Sequence, residues 1–127
     1  MQERAVYEYA IVRLVPRVER EEFINIGLLF LCRKQRYAAL LYHVDKDRCC
    51  LLDKEIDLDQ ILAHLKSMDD ICQGNKSGGG LALLDQTERF RWLTAKRSTL
   101  IQCSALHPGL CLDAKETHQE LFERLVL

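Results

Sequence analysis

The side chains best suited to binding or catalysis are concentrated in one stretch, RFRWLTAKRSTLIQCSALHPGL, from Arg89 to Leu110. It holds four basic residues, the only tryptophan of the chain, a Ser-Thr pair, a glutamine and a histidine. A packed core needs few such side chains, because burying a polar group without a partner costs free energy. This stretch is therefore the first candidate for a functional site.

An arginine, a hydroxyl and an amide lie close together in the sequence, at Arg97, Ser98 and Gln102. In an extended strand, Ser98 and Gln102 lie on the same face. Arginine offers a planar, bidentate fork of donors that matches phosphate and carboxylate groups. The pattern predicts an anion-binding site. The alternative is that Ser98 and Thr99 are ordinary turn residues at a helix-to-strand junction.

Three more polar residues are candidates for the same site. His107 places a titratable ring at the end of a predicted strand. Asn25 interrupts an apolar strand, where its amide either lines a pocket or bonds to a neighbouring loop. Arg13 reaches the face of Asn25 if the two strands pair in a suitable register; otherwise it is a solvated or salt-bridged arginine at a sheet edge.

The motifs of metal, cofactor and hydrolytic sites are missing from the sequence, so no metal and no cofactor is predicted. Cys103, His107 and Cys111 recur every four residues, but in a strand such neighbours lie roughly 13 Å apart, too far to share an ion. No nucleophile elbow occurs, and the loop GNKSGGG lacks the order of a phosphate-binding P-loop. The sequence favours a non-catalytic protein over an enzyme.

Charge argues against a nucleic-acid partner. The chain has 18 basic and 19 acidic residues and a formal net charge of −1, whereas nucleic-acid binders are usually strongly basic. The basic residues of 89–97 could contact a phosphate backbone beside Phe90 and Trp92. We expect instead a solvated helix face, with Trp92 packed in the core.

Apolar patterning and cysteine usage indicate a cytoplasmic protein. No run approaches the roughly 18 apolar residues that span a bilayer, and no secretory signal is visible at the start. The six cysteines mostly lie among apolar residues. They are predicted to be reduced, buried thiols, because a core of this size needs no disulfides.

The first half of the chain predicts three antiparallel strands, at 6–15, 23–32 and 37–44, from β-branched, aromatic and apolar runs. Alternation places Ile24, Ile26, Leu28 and Phe30 on one face of the second strand. A fourth strand is predicted at 98–106, ended by Pro108-Gly109.

Helices are predicted mainly after the third strand. Asp57 with Gln60, and Asp113 with Glu116, have the spacing of capping boxes. Another helix is expected at 83–95 and a short turn at 47–54, while the glycine-rich 74–80 predicts a mobile loop. The order of elements predicts one α+β domain over 1–127, a mostly antiparallel sheet of about four strands that begins with a three-strand meander. About three helices pack on it.

The sequence also resembles a known family. The opening YEYAIVRLVPRVEREEFINIGLLF, the stretch RFRWLTAKRSTLIQCSALHPGL and the closing LFERLV are similar to a family of short bacterial proteins known only as domain of unknown function 3037. The resemblance covers nearly the whole chain and is weakest over 46–80. It implies no catalytic residue, because the family has no established activity.

The family resemblance implies a partner. Members are often encoded next to a kinase-like protein related to the HipA toxins, which suggests a small partner or regulator of such a kinase. The first functional hypothesis is therefore a non-catalytic interaction or regulatory module. The alternative is an anion-binding or enzymatic domain that uses Arg97, Ser98, Gln102 and His107, with Asn25 and Arg13.

Overall fold

Five strands form one antiparallel sheet in the computed structural model, which describes residues 3–97 and 99–127. The long strand β1 (Ala5–Leu14) is central, and β2 (Ile24–Cys32) pairs with it on one side. Strand β3 (Tyr37–Tyr42) extends the sheet beyond β2. On the other side of β1 lie β4 (Ile101–Cys103) and β5 (His107–Cys111). The predicted α+β class is confirmed, with five strands where about four were expected.

The helices connect and cover these strands. They are α1 (Lys46–Leu52), α2 (Leu58–Gln73), α3 (Gln86–Thr94) and α4 (Ala114–Leu125), with short 3-10 helices at Val18–Arg20 and Lys76–Leu83. Both predicted capping residues are confirmed: the Asp57 carboxylate accepts from the Gln60 backbone N–H, and that of Asp113 from the Glu116 N–H. The expected turn at 47–54 is helical for most of its length, and much of the expected glycine-rich loop is 3-10 helix.

Helices lie on both faces of the sheet, which gives two apolar cores. The core between the sheet and α2 and α3 includes Val12, Leu14, Ile61, Leu65 and Phe90. The core between the sheet and α4 includes Leu28, Phe30, Leu121 and Phe122. The central strands are therefore buried on both sides, which explains the nearly continuous apolar run of β2.

A β-bulge at Ile26 shifts the register of the two central strands. Val12 lies opposite Gly27, whereas the next residue, Arg13, lies opposite Asn25. Strand β2 therefore carries one extra residue, the defining property of a bulge. The shift makes Arg13 and Asn25 direct cross-strand partners.

The bulge also overturns the predicted faces of β2. Ile24 and Ile26 pack on the side of α2 and α3, while Leu28 and Phe30 pack on the side of α4. The prediction that these four share one face is wrong, because strict alternation holds only in an uninterrupted strand.

The strand predicted at 98–106 is instead the short β4, and Ser104 marks the passage from β4 to β5. The Ser104 hydroxyl accepts from the Ile11 backbone N–H at 2.8 Å and donates to the Ala105 carbonyl at 2.9 Å. The Ser104 backbone N–H also donates to the Ile11 carbonyl. The Ser104 hydroxyl thus takes the place of a backbone acceptor for the Ile11 N–H, at the point where the chain leaves the regular strand.

Pro108 and Gly109 were expected to end a strand, but both lie inside β5. Proline is tolerated there because β5 is an edge strand, where an N–H on the outer side needs no partner. Gly109 lies opposite Tyr7, and a Cβ atom at Gly109 would come within 2.3 Å of the Tyr7 ring. The glycine therefore makes room for that ring.

A buried histidine joins α4 to the sheet. His118 is fully buried, and its Nε2–H donates to the Leu28 carbonyl at 2.8 Å. Its Nδ1 atom lies 2.8 Å from the Tyr37 hydroxyl, which therefore donates to it. Burial lowers the pKa of His118 to about 4, so the ring is neutral at pH 7 with both nitrogens satisfied.

Candidate functional site

A cleft of about 440 Å³ lies beside β4, at the end of the sheet where β1 finishes. Three of its side chains are cationic. We call it the arginine cleft, and its lining residues are Arg13, Lys96, Arg97, Gln102, Cys103, Ser104 and Ala105.

Strand pairing and the end of a helix bring the cationic residues together. Arg13 of β1 lies directly opposite Gln102 of β4, and opposite residues of an antiparallel pair project to the same face. Helix α3 ends at Thr94, so Lys96 and Arg97 enter the cleft from the segment that leads to β4.

Aromatic rings support both arginines. The guanidinium carbon of Arg13 lies 4.2 Å from the centre of the Phe23 ring, and that of Arg97 lies 4.1 Å from the Trp92 ring. Arg97 also donates to the Trp92 carbonyl oxygen. Stacking occupies the flat face of a guanidinium and leaves the N–H groups at its edge able to bind an acceptor.

The positive charge of the cleft is not balanced by neighbouring carboxylates. None of the ion pairs formed among the described residues includes Arg13, Lys96 or Arg97. The Nε atom of Arg13 is buried and, within the same part of the chain, has no hydrogen-bond partner. Three cationic side chains without a paired carboxylate make the cleft electrostatically suited to an anion.

The thiol of the cleft is not a ready nucleophile. Burial raises the pKa of Cys103 to about 11, although the charges of Arg97 and Arg13 act in the opposite direction. The Cys103 thiol points to the Leu93 carbonyl at 3.5 Å. Since the thiolate is the reactive form, Cys103 is unreactive at neutral pH.

Three of the six predicted site residues line the arginine cleft: Arg13, Arg97 and Gln102. The Gln102 amide donates to the Thr99 carbonyl at 2.8 Å, so one of its two N–H groups closes the local turn. Ser98 lies outside the described residues. Ligand binding by these residues stays a prediction.

The two remaining predicted residues lie elsewhere. His107 is exposed on β5 and stacks on Tyr9, with ring centres 5.1 Å apart. The Asn25 amide donates to the Leu125 carbonyl, at the end of α4, at 3.0 Å. Neither residue lines the arginine cleft. The structure therefore does not bring His107 together with Arg97 and Gln102.

Trp92 is not a core residue, so that expectation is wrong. Its surface is 40% exposed, whereas Phe90 and Leu93 of the same helix are buried. Successive helical residues are about 100° apart, which turns Trp92 away from the direction of Phe90. Lys96 was named only within the basic run 89–97 and not with the anion site, although it adjoins Arg97, and no sequence signal pointed to Phe23.

The basic residues of 89–97 do not share one face. Arg89 donates to the carbonyls of Cys72 and Leu84, and Arg91 forms a two-bond ion pair with Glu8 at 2.9 and 3.0 Å. Lys96 and Arg97 alone of the four line the cleft. The four basic residues therefore do not form the expected solvated helix face. Two are engaged in hydrogen bonds or an ion pair within the protein, and two line the cleft.

Metal-ligand clusters and membrane-spanning helices are absent from residues 3–97 and 99–127. No group of three or more His, Cys, Asp or Glu residues within these ranges could hold a metal ion. No helix there is long and apolar enough to cross a bilayer.

The chain matches the sequence model of a known family. The sequence model of a family described as "Protein of unknown function (DUF3037)" matches residues 9–126. No curated protein and no solved structure matches the chain.

Proposed function

The chain belongs to the DUF3037 family of proteins of unknown function, and we propose that it is a non-catalytic module that binds an anionic group in the arginine cleft. The observation that carries this proposal is the unbalanced charge of Arg13, Lys96 and Arg97. Two of these side chains are already held by aromatic rings. These two guanidinium groups are therefore partly ordered before a ligand binds, which lowers the conformational entropy lost on binding.

Phosphate is the preferred anion on grounds of charge. A phosphate monoester carries about −1.5 to −2 at pH 7 and offers three acceptor oxygens. A carboxylate carries a single charge and would leave more of the cleft uncompensated. Clusters of arginines that bind phosphorylated groups are a recurrent mode of recognition.

The chemistry of the lining favours binding over turnover. Arginine does not lose its proton in proteins and so cannot act as a general base. The Cys103 thiol is protonated at neutral pH, and the Ser104 hydroxyl is engaged with backbone groups on both sides. These described residues suit the binding of an anion but supply no activated nucleophile.

Calorimetric titration with inorganic phosphate, sulfate and acetate tests the proposal. We expect phosphate to bind and acetate to bind more weakly, with affinity falling as salt rises. A thermal shift supplies a second measurement, since ligand at 100 times its dissociation constant stabilises by about 2.7 kcal/mol. The proposal would be overturned if none of the three anions bound detectably at millimolar concentration.

Matched arginine variants locate the site. Arg13→Gln and Arg97→Gln each remove a cation of the cleft and should weaken phosphate binding at least tenfold. Arg33→Gln removes an exposed arginine that lies just after β2, at the opposite end of β1 from Arg13, and should leave binding unchanged. Loss of binding in all three variants to the same degree would show only a nonspecific effect of charge.

A second candidate function is regulation of a HipA-like kinase, as a bacterial cytoplasmic partner protein. The observation that favours a protein partner is an uncovered apolar pair, Val6 and Leu110, which lie opposite each other on β1 and β5. Their surfaces are 62% and 58% exposed. Leu112 beyond the end of β5 is also exposed, and adjoining exposed apolar residues are typical of docking surfaces.

Co-purification with such a kinase tests this second candidate. Val6→Asp and Leu110→Asp should each weaken capture of the kinase and restore its unregulated activity. Leu83→Asp alters a residue that is 89% exposed and is not part of this pair, so it should leave capture unchanged. Failure of the unaltered protein to bind or regulate the kinase would refute it.

A further inference from the structure

A small, mainly apolar cavity shares part of its lining with the arginine cleft. Its volume is about 200 Å³, and Met68 of α2, Leu93 of α3 and Ile101 of β4 line it. Arg97, Gln102 and Cys103 border both the cavity and the cleft. The two spaces therefore meet at these three residues.

The size of the cavity restricts what can enter it. Ligand pockets commonly measure about 300–1,000 Å³, whereas an engineered apolar cavity of about 150 Å³ is known to bind benzene. A space of about 200 Å³ thus accepts one six-membered ring or a short branched alkyl group. A nucleoside is too large for it.

The charge of the cavity differs from that of the cleft. His64 also lines it, and burial, followed by the charge of Arg97, lowers the pKa of this imidazole. The neutral form of the ring is therefore favoured, and Arg97 stands at the boundary with its guanidinium stacked on Trp92. An uncharged apolar group suits the cavity, and an anion suits the cleft.

We infer that the site takes a phosphate monoester of an aromatic or short branched aliphatic group, with the phosphate in the arginine cleft and the apolar group in the cavity lined by Met68, Leu93 and Ile101. This inference rests on the proposed anion-binding function. It adds the chemical class of the rest of the ligand. The ester bond crosses the boundary formed by Arg97, Gln102 and Cys103.

Titration with inorganic phosphate, phenyl phosphate and phenol tests the inference separately from the proposed function. We expect phenyl phosphate to bind at least tenfold more tightly than phosphate, because filling an apolar pocket by even one methylene is worth about 10–200-fold. Trp92 is the only tryptophan of the chain and borders the cavity. Its fluorescence should therefore change more with phenyl phosphate than with phosphate.

Two failures are distinguishable. If neither phosphate nor phenyl phosphate binds, the proposed function itself fails. If both bind with equal affinity, the anion site stands and the inference about the apolar group is wrong. Tight binding of phenol without phosphate would also overturn the inference, since the phosphate would then contribute nothing.

Variants of the cavity give the decisive comparison. Ala95→Trp enlarges an exposed residue at the rim of the cavity and should remove the advantage of phenyl phosphate. Met68→Trp fills the cavity from inside, and circular dichroism checks that it folds. Leu62→Trp places the same side chain at an exposed position of α2 that is not in the cavity, and should retain the advantage. An unchanged advantage in Ala95→Trp would contradict the inference.

Discussion

Arg13 and Asn25 face each other across β1 and β2, and each has one buried polar atom without a partner among the described residues. The atoms are Nε of Arg13 and Oδ1 of Asn25. The amide nitrogen of Asn25 is already committed to the Leu125 carbonyl. The Arg13 Nε–H donor and the Asn25 Oδ1 acceptor therefore lie on paired residues but do not bond to each other. Arg13 also lines the cleft that we propose binds an anion.

Arg13→Met should raise the free energy of unfolding by about 1 kcal/mol while weakening phosphate binding at least tenfold. An unsatisfied buried polar group costs roughly 1–3 kcal/mol, whereas the cation–π contact with half-exposed Phe23 contributes about 0.5–1 kcal/mol. Methionine keeps an apolar contact with the ring. Urea unfolding measures the change, and a clear loss of stability would show that Arg13 is structural.

The fold was largely readable from the sequence because periodicity and caps act locally. The strands over residues 6–15, 23–32 and 37–44 and the caps Asp57 and Asp113 all recur in the structure to within a few residues. The bulge at Ile26 was not readable, because it depends on register against β1 and not on the composition of β2.

The candidate site was readable only in part for the same reason. Arg13, Arg97 and Gln102 come together through the pairing of β1 with β4, which is a tertiary relationship. His107 was assigned to the site because one continuous strand was expected, but the chain breaks regular pairing at Ser104 and continues as β5. Trp92 was misassigned because a large aromatic side chain was expected to be buried, although helical spacing of about 100° per residue turns it away from buried Phe90.

His118 should make the protein less stable as pH falls from about 6.5 to about 4. Its ordinary pKa is 6.5, and burial lowers the folded-state pKa to about 4. Between these values the unfolded chain binds the proton and the folded chain does not, so acid favours unfolding. A shift of this size corresponds to roughly 3 kcal/mol. Urea unfolding at pH 7, 5.5 and 4.5 measures the trend.

Replacement of the histidine isolates this contribution from the carboxylates. His118→Gln should be less stable at pH 7 but show a shallower decline between pH 7 and 4.5 than the unaltered protein. His107→Gln removes an exposed histidine and should keep the original decline. Parallel pH profiles for the unaltered protein and His118→Gln would rule out the buried imidazole as the source.

Ser104→Ala should lower the free energy of unfolding by about 1–3 kcal/mol, because the Ile11 N–H then loses its acceptor at the junction of β4 and β5. Hydrogen exchange at the Ile11 amide should accelerate together with that loss. Ser67→Ala changes an exposed serine of α2 and should be neutral or slightly stabilising, since alanine is the better helix former. An equal effect of the two substitutions would mean that the Ser104 bond contributes nothing.

Gly109→Ala should destabilise the protein by about 1–3 kcal/mol, the usual range for overpacking a filled site. The new Cβ would lie within 2.3 Å of the Tyr7 ring, and that ring is stacked on Phe30 with centres 4.8 Å apart. Gly80→Ala is the control, because a Cβ there meets no atom within 4 Å, and it should be neutral or slightly stabilising through the unfolded state. Thermal unfolding of both variants measures the difference. If Gly109→Ala is as stable as Gly80→Ala, the Tyr7 ring moves aside at little cost and is not the reason for a glycine at position 109.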